Sequence, residues 1–374
     1  MIPRLRSLGR RNLGMSLLGA ISSLSIMAAP ASAVTGWTGP QAIGSAAYCF
    51  GVNAAIDATG RSHMAAMCID HVQYSSSNPN GSWSTTTFAH PSGTSDVDPQ
   101  IAIDGSTIYI AFTRVTPADC GVFNVGTYVR SKSLTGGSWS AATLLGHAGD
   151  RLQSFRVVSG KIHATVDSDY PPNTSHVYYE TYSGGVLKRY VLAGAGYQSS
   201  LRVGGDGLAR IVYEVAAGLR YAVFNGVGLT SSSIPGTTAN DHNPLLVLDA
   251  QNKAYVIWTH EEPAGCAPGT AEALDGTYYA TNRTGSWTAV ASRRFTTMKG
   301  AAAITLDAGS GRAYVLVAAG TSGLRYWTKP AIGAWGSQLL SSAQAGSVAI
   351  RRDPASGKLL AVYTSPKIRF FTKP

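Results

Sequence analysis

The chain has 374 residues, only 13% of them are charged, and its formal net charge is +10 at pH 7. Four of the positive charges are arginines within the first eleven residues, so the remainder carries about +6. Because no stripe of Lys and Arg runs along any predicted element, the sequence argues against nucleic acid as a partner.

The first 33 residues have the pattern of an export signal. Four arginines precede an apolar stretch at 13–29, and Ala31-Ser32-Ala33 has the form of a cleavage site. No later run is long and apolar enough to span a bilayer. We therefore expect residues 1–33 to be removed and residues 34–374 to form one domain of a secreted protein, extracellular or periplasmic, without a membrane span.

A recurring hairpin organises the rest of the chain. In the stretch 98–114, two apolar runs surround Asp104-Gly105, which is typical of two short strands joined by a tight turn. Two further strands follow, so the unit has four strands in roughly 45 to 55 residues, the size of one propeller blade. Comparable turns recur at seven places: 57–60, 104–105, 159–160, 204–207, 249–252, 307–311 and 353–357.

Aromatic residues repeat with the same period. Each predicted third strand contains one or two of them, at Tyr74, Tyr128, Tyr178–Tyr179, Tyr221, Tyr278–Tyr279, Tyr326 and Phe370. Fourth strands are marked by Trp83, Trp139, Trp287 and Trp335.

The two ends of the chain complement each other. The seventh unit ends at Pro374 without a fourth strand, and the stretch 36–40 resembles a spare fourth strand. Pairing them would remove an exposed sheet edge, so we expect Trp37 beside Phe370 in a common sheet. The predicted fold is an all-β, seven-bladed β-propeller closed by pairing of the N- and C-terminal strands. An eight-strand sandwich and a right-handed β-solenoid are the alternatives.

The four cysteines are expected to form disulfides in an exported chain. Cys49 precedes the first strand of unit one and Cys68 ends its second, so they should be neighbours. Cys120 and Cys266, in long loops of units two and five, would form the second pair. There is no C-x-x-C motif and the cysteines are dispersed, so neither a metal nor a cofactor is expected.

The turns before the fourth strands resemble a known repeat. They read Asn80-Gly81-Ser82-Trp83-Ser84, Thr135-Gly136-Gly137-Ser138-Trp139-Ser140 and Thr284-Gly285-Ser286-Trp287-Thr288. This resembles the sialidase-like (BNR-type) repeat with degenerate Asp-boxes, since the Gly and Trp are present and the Asp is absent. The resemblance implies a superfamily of propellers that includes sialidases, other glycan-cleaving enzymes and carbohydrate-binding proteins. It carries no catalytic residue over to this chain.

Propellers place ligands at the face where first strands begin and second strands end, here called the entry face. Units two to five concentrate carboxylates, His and Arg at these positions, and units six and seven are nearly bare, which favours one site near the axis. The predicted ligand-binding residues are Asp98, Arg114, Arg151, Asp169, Asp241, Tyr170 and Tyr197. The alternative, purely structural interpretations are that Asp98 caps a turn and that Arg114 and Arg151 pair with neighbouring aspartates.

Acid–base candidates occupy the same face. They are Glu214, Glu261, His242, His260 and Asp167, and either a hydrolase or a lyase would draw on such groups. His260-Glu261 is alternatively the solvated start of a long loop. His163, in the middle of a strand, is expected to be structural.

Three functions remain open at this point. The first is recognition of an extracellular glycan or polysaccharide at one central site by a monomer. The second is cleavage of a glycan, as a glycoside hydrolase or polysaccharide lyase. The third is a cell-envelope or extracellular scaffold without a small ligand.

Overall fold

The fold is built from seven four-stranded antiparallel sheets. The computed structural model describes residues 36–44, 48–118, 121–168, 176–193, 198–262, 274–288, 294–319, 322–365 and 367–374. Blades 1 to 3 comprise β2 (Cys49–Ile56), β3 (Ser62–Cys68), β4 (His71–Ser77) and β5 (Trp83–Thr87); β6 (Ser95–Asp104), β7 (Thr107–Ala118), β8 (Gly121–Ser133) and β9 (Thr143–Leu145); and β10 (Asp150–Val158), β11 (Lys161–Ser168), β12 (His176–Ser183) and β13 (Val186–Ala193).

The remaining blades follow the same scheme. They comprise β14 (Ser199–Val203), β15 (Ala209–Val215), β16 (Gly218–Phe224) and β17 (Leu229–Ser233); β18 (Asp241–Leu248), β19 (Ala254–His260), β20 (Gly276–Thr281) and β21 (Arg294–Thr296); β22 (Ala301–Asp307), β23 (Arg312–Ala318), β24 (Leu324–Lys329) and β25 (Gly336–Ser341); and β26 (Val348–Arg352), β27 (Leu359–Ser365) and β28 (Lys367–Lys373) with β1 (Thr38–Ile43). Within the described ranges no helix has the length and apolarity that a membrane crossing needs.

The ring closes through its two termini, as the sequence predicts. The seventh sheet has the order β26-β27-β28-β1, and Gln41 of β1 lies opposite Phe370 of β28. The expected position of Trp37 beside Phe370 is wrong: Trp37 comes just before β1, and its ring contacts those of Phe371 and Tyr326. The predicted seven-bladed, terminally closed β-propeller is therefore confirmed.

Aspartates hold the turns between first and second strands. The Oδ1 atom of Asp57 accepts hydrogen bonds from the backbone N–H groups of Thr59 and Arg61, at 2.9 and 3.0 Å. Asp249 binds Gln251 and Lys253 in the same way, at 3.0 and 2.8 Å. Short carboxylate side chains stabilise turns by bonding backbone groups two residues on, which is why Asp recurs there.

The core lies between the sheets rather than inside any one of them. Each of seven apolar clusters combines buried residues of two consecutive blades, because both faces of every sheet pack against a neighbour. Packing of two inner faces is the ordinary way for sheets to bury apolar area.

Tryptophans join one blade to the preceding one. Among the described residues, five of them pack on a third-strand aromatic ring, with centroid distances of 4.9 to 5.5 Å: Trp139 on Tyr74, Trp287 on Tyr221, Trp335 on Tyr279, Trp83 on Phe370 and Trp37 on Tyr326. Only Trp83 lies in a fourth strand. Trp139, Trp287 and Trp335 instead precede theirs, because the ring must reach back toward the neighbouring sheet.

His163 is a buried, neutral part of blade 3. Its Nδ1 atom lies 2.7 Å from the Tyr179 hydroxyl, and the residue is 5% exposed. Burial lowers the pKa of His163 to about 4, and the positive charge of Lys161 acts in the same direction. The expectation that His163 is structural agrees with this environment.

This burial predicts an acid-sensitive contribution to stability. The unfolded chain binds a proton at the ordinary His pKa near 6.5, so the contribution is complete above that pH and is lost as the pH falls toward 4. At its largest it is about 3 kcal/mol. We expect His163→Gln to lose less unfolding free energy than the wild type between pH 7 and pH 4 in urea denaturation, whereas the exposed His147→Gln should follow the wild type. If the unfolding free energies of His163→Gln and the wild type fell by the same amount between pH 7 and pH 4, His163 would not be the source of the acid sensitivity.

Candidate functional site

Bulges make the entry face asymmetric. The pairing of first with second strand shifts register in blades 1, 2, 3 and 5 and runs regularly in the described strands of blades 4, 6 and 7. Gly51, Asp98 and Asn243 occupy these bulges with φ of 56°, 52° and 55°. Gly, Asn and Asp tolerate the left-handed region best, which explains the residue types. A bulge bends its strand and redirects side chains, so these blades present different surfaces at the entry face.

The bulges of blades 1 to 3 enclose a cavity of about 210 Å³ at the entry face. We call it the mouth pocket; it is lined by Gly51, Val52, Asp98, Pro99, Gln100, Arg151, Leu152 and Gln153. The bulges of blades 1 and 2 touch, since a Cβ added to Gly51 would lie 3.7 Å from Pro99 Cδ.

Asp98 and Arg151 form the charged wall of the mouth pocket. The Nε and Nη2 groups of Arg151 donate to Oδ2 of Asp98 at 3.1 and 2.9 Å, and both side chains are more than a third exposed. An ion pair this exposed contributes little to stability. Its hydrogen-bonding groups therefore remain accessible to a ligand.

Three exposed apolar side chains lie at the entry-face edge of blade 1, and one of them, Phe50, directly precedes Gly51 of the pocket lining. Tyr48, Phe50 and Ile69 are 57%, 52% and 62% exposed, and we call them the apolar rim. Tyr48 and Ile69 both have a φ of 65°, which is costly for bulky side chains. The Ile69 N–H donates to the Tyr48 carbonyl at 3.1 Å, and the predicted Cys49–Cys68 disulfide is present beside it. Strained backbone of this kind, fixed by its surroundings, is typical of functional sites.

Two predicted ligand-binding residues are occupied by buried partners. Arg114 donates to both oxygens of Asp96 at 2.7 and 2.9 Å, and its guanidinium stacks over Tyr128 at 4.5 Å. Asp241 accepts from Trp258 Nε1 at 2.7 Å and contacts His260 Nδ1 at 2.8 Å. The alternative interpretation, pairing with an aspartate, therefore describes both Arg114 and Arg151.

His260 lies between two carboxylates. Its second ring nitrogen, Nε2, is 2.9 Å from Glu262 Oε1. Burial opposes protonation of His260, but the hydrogen bonds to Glu262 and Asp241 outweigh it and raise its pKa. The neighbour predicted from the sequence, Glu261, instead donates its backbone N–H to Asn240, so Glu262 is the partner.

Glu214 and His242 meet at the rim of blades 4 and 5. His242 Nδ1 is 3.7 Å from Glu214 Oε2, while Oε1 of Glu214 accepts the backbone N–H of Asn243 at 2.8 Å. His242 is partly exposed and Glu214 is buried. Asp167 stands opposite Arg151 in the β10–β11 register.

Five of the predicted residues lie outside the described part of the chain. They are Asp169, Tyr170, Tyr197, Cys120 and Cys266. Within the described part, no group of three or more His, Cys, Asp or Glu side chains is arranged to hold a metal ion.

A buried cluster in blade 3 has no counterpart among the sequence predictions. Arg189 bonds both Asp150 and Glu180, the latter at 2.5 Å, and its guanidinium lies 4.3 Å from the centre of the Tyr178 ring. Burial raises the pKa of Glu180 to about 7, although Arg189 acts against this. The one sign of this cluster in the sequence was Glu180, a charged residue that directly follows Tyr178 and Tyr179 in a predicted third strand.

The predicted ligand-binding residues also omitted Phe50, Ile69 and Gln100. Nothing in residue type distinguishes these three from ordinary strand residues. Phe50 and Gln100 flank bulges, and Ile69 follows β3 with a positive φ, features that only the structure reveals.

In sequence, the chain matches no protein-family profile and no curated protein. In structure it is similar to an α-L-arabinofuranosidase of Fusarium graminearum in complex with arabinobiose, with 10% identity, a TM-score of 0.56, and coverage of 90% of this chain and 97% of the other. The polysaccharide lyase Uly1 gives 10% identity and 0.54, covering 86% and 88%. Trypanosoma rangeli sialidase with the inhibitor DANA gives 9% and 0.51, covering 88% of this chain and 55% of the sialidase. At 9 to 10% identity, these structural similarities establish the fold alone.

The disulfide should stabilise the apolar rim. Its cysteines are 19 residues apart, so replacing both by serine should cost about 3 kcal/mol of unfolding free energy in urea denaturation. Backbone amides around Tyr48 and Ile69 should exchange faster with solvent. The matched control is Ser347→Ala with Thr364→Val at the corresponding edge of blade 7, where a 3.0 Å hydrogen bond replaces the bridge and the cost should be about 1 kcal/mol. Equal losses for both double variants would contradict this account.

Proposed function

We propose that this chain, which has the sialidase-like β-propeller fold, is a secreted carbohydrate-recognition protein with a single binding site at the mouth pocket and its apolar rim. The observation that carries the proposal is the position of exposed Tyr48 and Phe50 at the start of blade 1, whose bulge residue Gly51 lines the same pocket as the Asp98–Arg151 ion pair. Sugars present an apolar ring face and a surrounding set of hydroxyl groups. An aromatic surface beside charged and amide groups matches both.

The polar groups of the pocket offer both donors and acceptors. Arg151 only donates, Asp98 only accepts when ionised, and Gln100 and Gln153 do both. Such a mixed set suits hydroxyls, each of which donates once and accepts twice. Few, directed polar groups beside apolar surface are the usual composition of a small-molecule site.

One site, rather than one per blade, follows from the bulges. Only blades 1 to 3 contribute to the mouth pocket, and the first strands of blades 6 and 7 carry Ala, Ser and Val at the entry face. Secretion is supported by the predicted export signal at 1–33 and by the Cys49–Cys68 bridge, because disulfides persist in oxidising compartments. Three structural neighbours are named as enzymes acting on glycans, which agrees with a sugar ligand.

The test is a glycan array followed by calorimetry with the purified, oxidised protein. We expect one glycan class to bind, and Tyr48→Ala and Phe50→Ala each to weaken that binding about tenfold, because aromatic contacts of this kind are worth roughly 1 kcal/mol or more. The matched controls are Val227→Ala and Ile332→Ala, which remove exposed apolar side chains elsewhere on the protein and should leave binding unchanged. Absence of any binding at millimolar glycan would overturn the proposal.

A second candidate, cleavage of the bound glycan, rests on the 3.7 Å contact between Glu214 and His242. Release of reducing ends or of unsaturated products, lost in Glu214→Gln and in His242→Gln, would favour cleavage. Binding without any product after prolonged incubation would leave recognition as the function.

A further inference from the structure

Three arginines from different blades line the inner channel. Arg156 in β10, Arg202 in β14 and Arg351 in β26 all stand on first strands, within two residues of the strand's end. They therefore lie in the half of the channel remote from the entry face. We call these three residues the arginine ring.

The arginine ring marks the junction of two cavities. All three residues line a cavity of about 120 Å³ and a second of about 300 Å³. The smaller cavity also includes Gln100 and Gln153, which it shares with the mouth pocket. The rest of its wall includes the short side chains of Ala302, Ala303 and Ala349 and the polar side chains of Ser154, Ser199 and Ser200.

Among the described residues, few groups accept hydrogen bonds from the arginine ring. Nη1 of Arg202 and Nη1 of Arg351 each donate to the carbonyl of the preceding residue at 2.7 Å, and Arg156 does the same. Arg351 also donates through Nη2 to Asn53 Oδ1 at 3.0 Å. A guanidinium has five N–H donors, so most of them are available.

The ring has no counter-charge in the described part of the chain, where no carboxylate forms an ion pair with any of its members. The neighbouring Arg352 differs, since it lies 3.4 Å from Asp307. Burial lowers the pKa of Arg156 to about 9, with the charge of Arg351 adding to the effect, and lowers that of Arg351 to about 10. Arg156 and Arg351 therefore remain charged at neutral pH, and gathering uncompensated charges out of water is costly.

We propose that the arginine ring is a binding site for a tetrahedral oxyanion, a sulfate or phosphate group held inside the channel. Guanidinium groups recognise such oxygens through pairs of parallel N–H bonds, which a spherical ion cannot accept in the same way. The group is either a free ion or an ester on a polysaccharide that enters the channel. The inference goes beyond glycan recognition at the mouth pocket, because none of the three arginines lines that pocket.

Calorimetry with the full-length protein in a low-salt buffer tests this site. The probes are sodium sulfate, sodium phosphate, sodium chloride, and a sulfated oligosaccharide with its desulfated counterpart. We expect saturable binding of sulfate or phosphate, and at least tenfold weaker binding by Arg156→Gln, Arg202→Gln and Arg351→Gln. Arg220→Gln, which removes a guanidinium bonded to Ser231 on the outer strands, is the control and should bind as the wild type does.

Thermal unfolding separates loss of binding from loss of folding. Without oxyanion, the three ring variants should melt at or above the wild-type temperature, because each removes one repelling charge; with sulfate, only the wild type and Arg220→Gln should gain stability. Arginine-dependent binding of the sulfated oligosaccharide alone would support the site and identify an ester as its source. Absence of saturable binding of sulfate, phosphate and the sulfated oligosaccharide alike by the wild type, or equal binding by all variants, would overturn the proposal. These outcomes are distinguishable from those at the mouth pocket, which is tested with the Tyr48 and Phe50 variants.

Discussion

The contact between a tryptophan of one blade and an aromatic ring of the preceding blade is the interaction on which the ring depends. It recurs at five blade junctions, including the one where Trp37 reaches Tyr326 beside the closing strand β1. Edge-to-face packing of aromatic rings fixes distance and angle as well as burying area. Because each blade is oriented by its neighbour, residues far apart in sequence, such as Phe50, Asp98 and Arg151, meet at one mouth.

Function then arises where the repeat is broken. Regular blades would present seven equivalent rims, but bulges in blades 1, 2, 3 and 5 change which side chains reach the axis. The mouth pocket forms where three bulged blades adjoin, and the disulfide holds strained, exposed side chains at its edge. Lower in the channel, three first strands each carry an arginine that lines the same two cavities. The upper polar pocket and the lower cationic ring are therefore two chemically distinct zones of one channel.

Most of the fold was predictable from the sequence because it depends on local, repeated signals. Asp-Gly turns, third-strand aromatics and the spare strand at 36–40 each act over a few residues, and Cys49 and Cys68 were placed by the edge they share. The site was less predictable because it depends on shifts in the pairing register between first and second strands. A bulge shifts the face of every later side chain in its strand. This is why Gln100 gave no signal. Glu262 rather than Glu261 meets His260 because side chains two residues apart lie on the same face of an extended chain. The channel arginines were missed because they come together only when blades distant in sequence surround one axis.

A crystal structure of the protein with its best-binding oligosaccharide is the most direct test of the account. We predict a sugar ring lying against Phe50 or Tyr48, with hydroxyl groups within hydrogen-bond distance of Asp98 or Arg151. A sugar bound on the opposite face of the ring, or one touching none of blades 1 to 3, would contradict the central claim that the bulged blades form the recognition site.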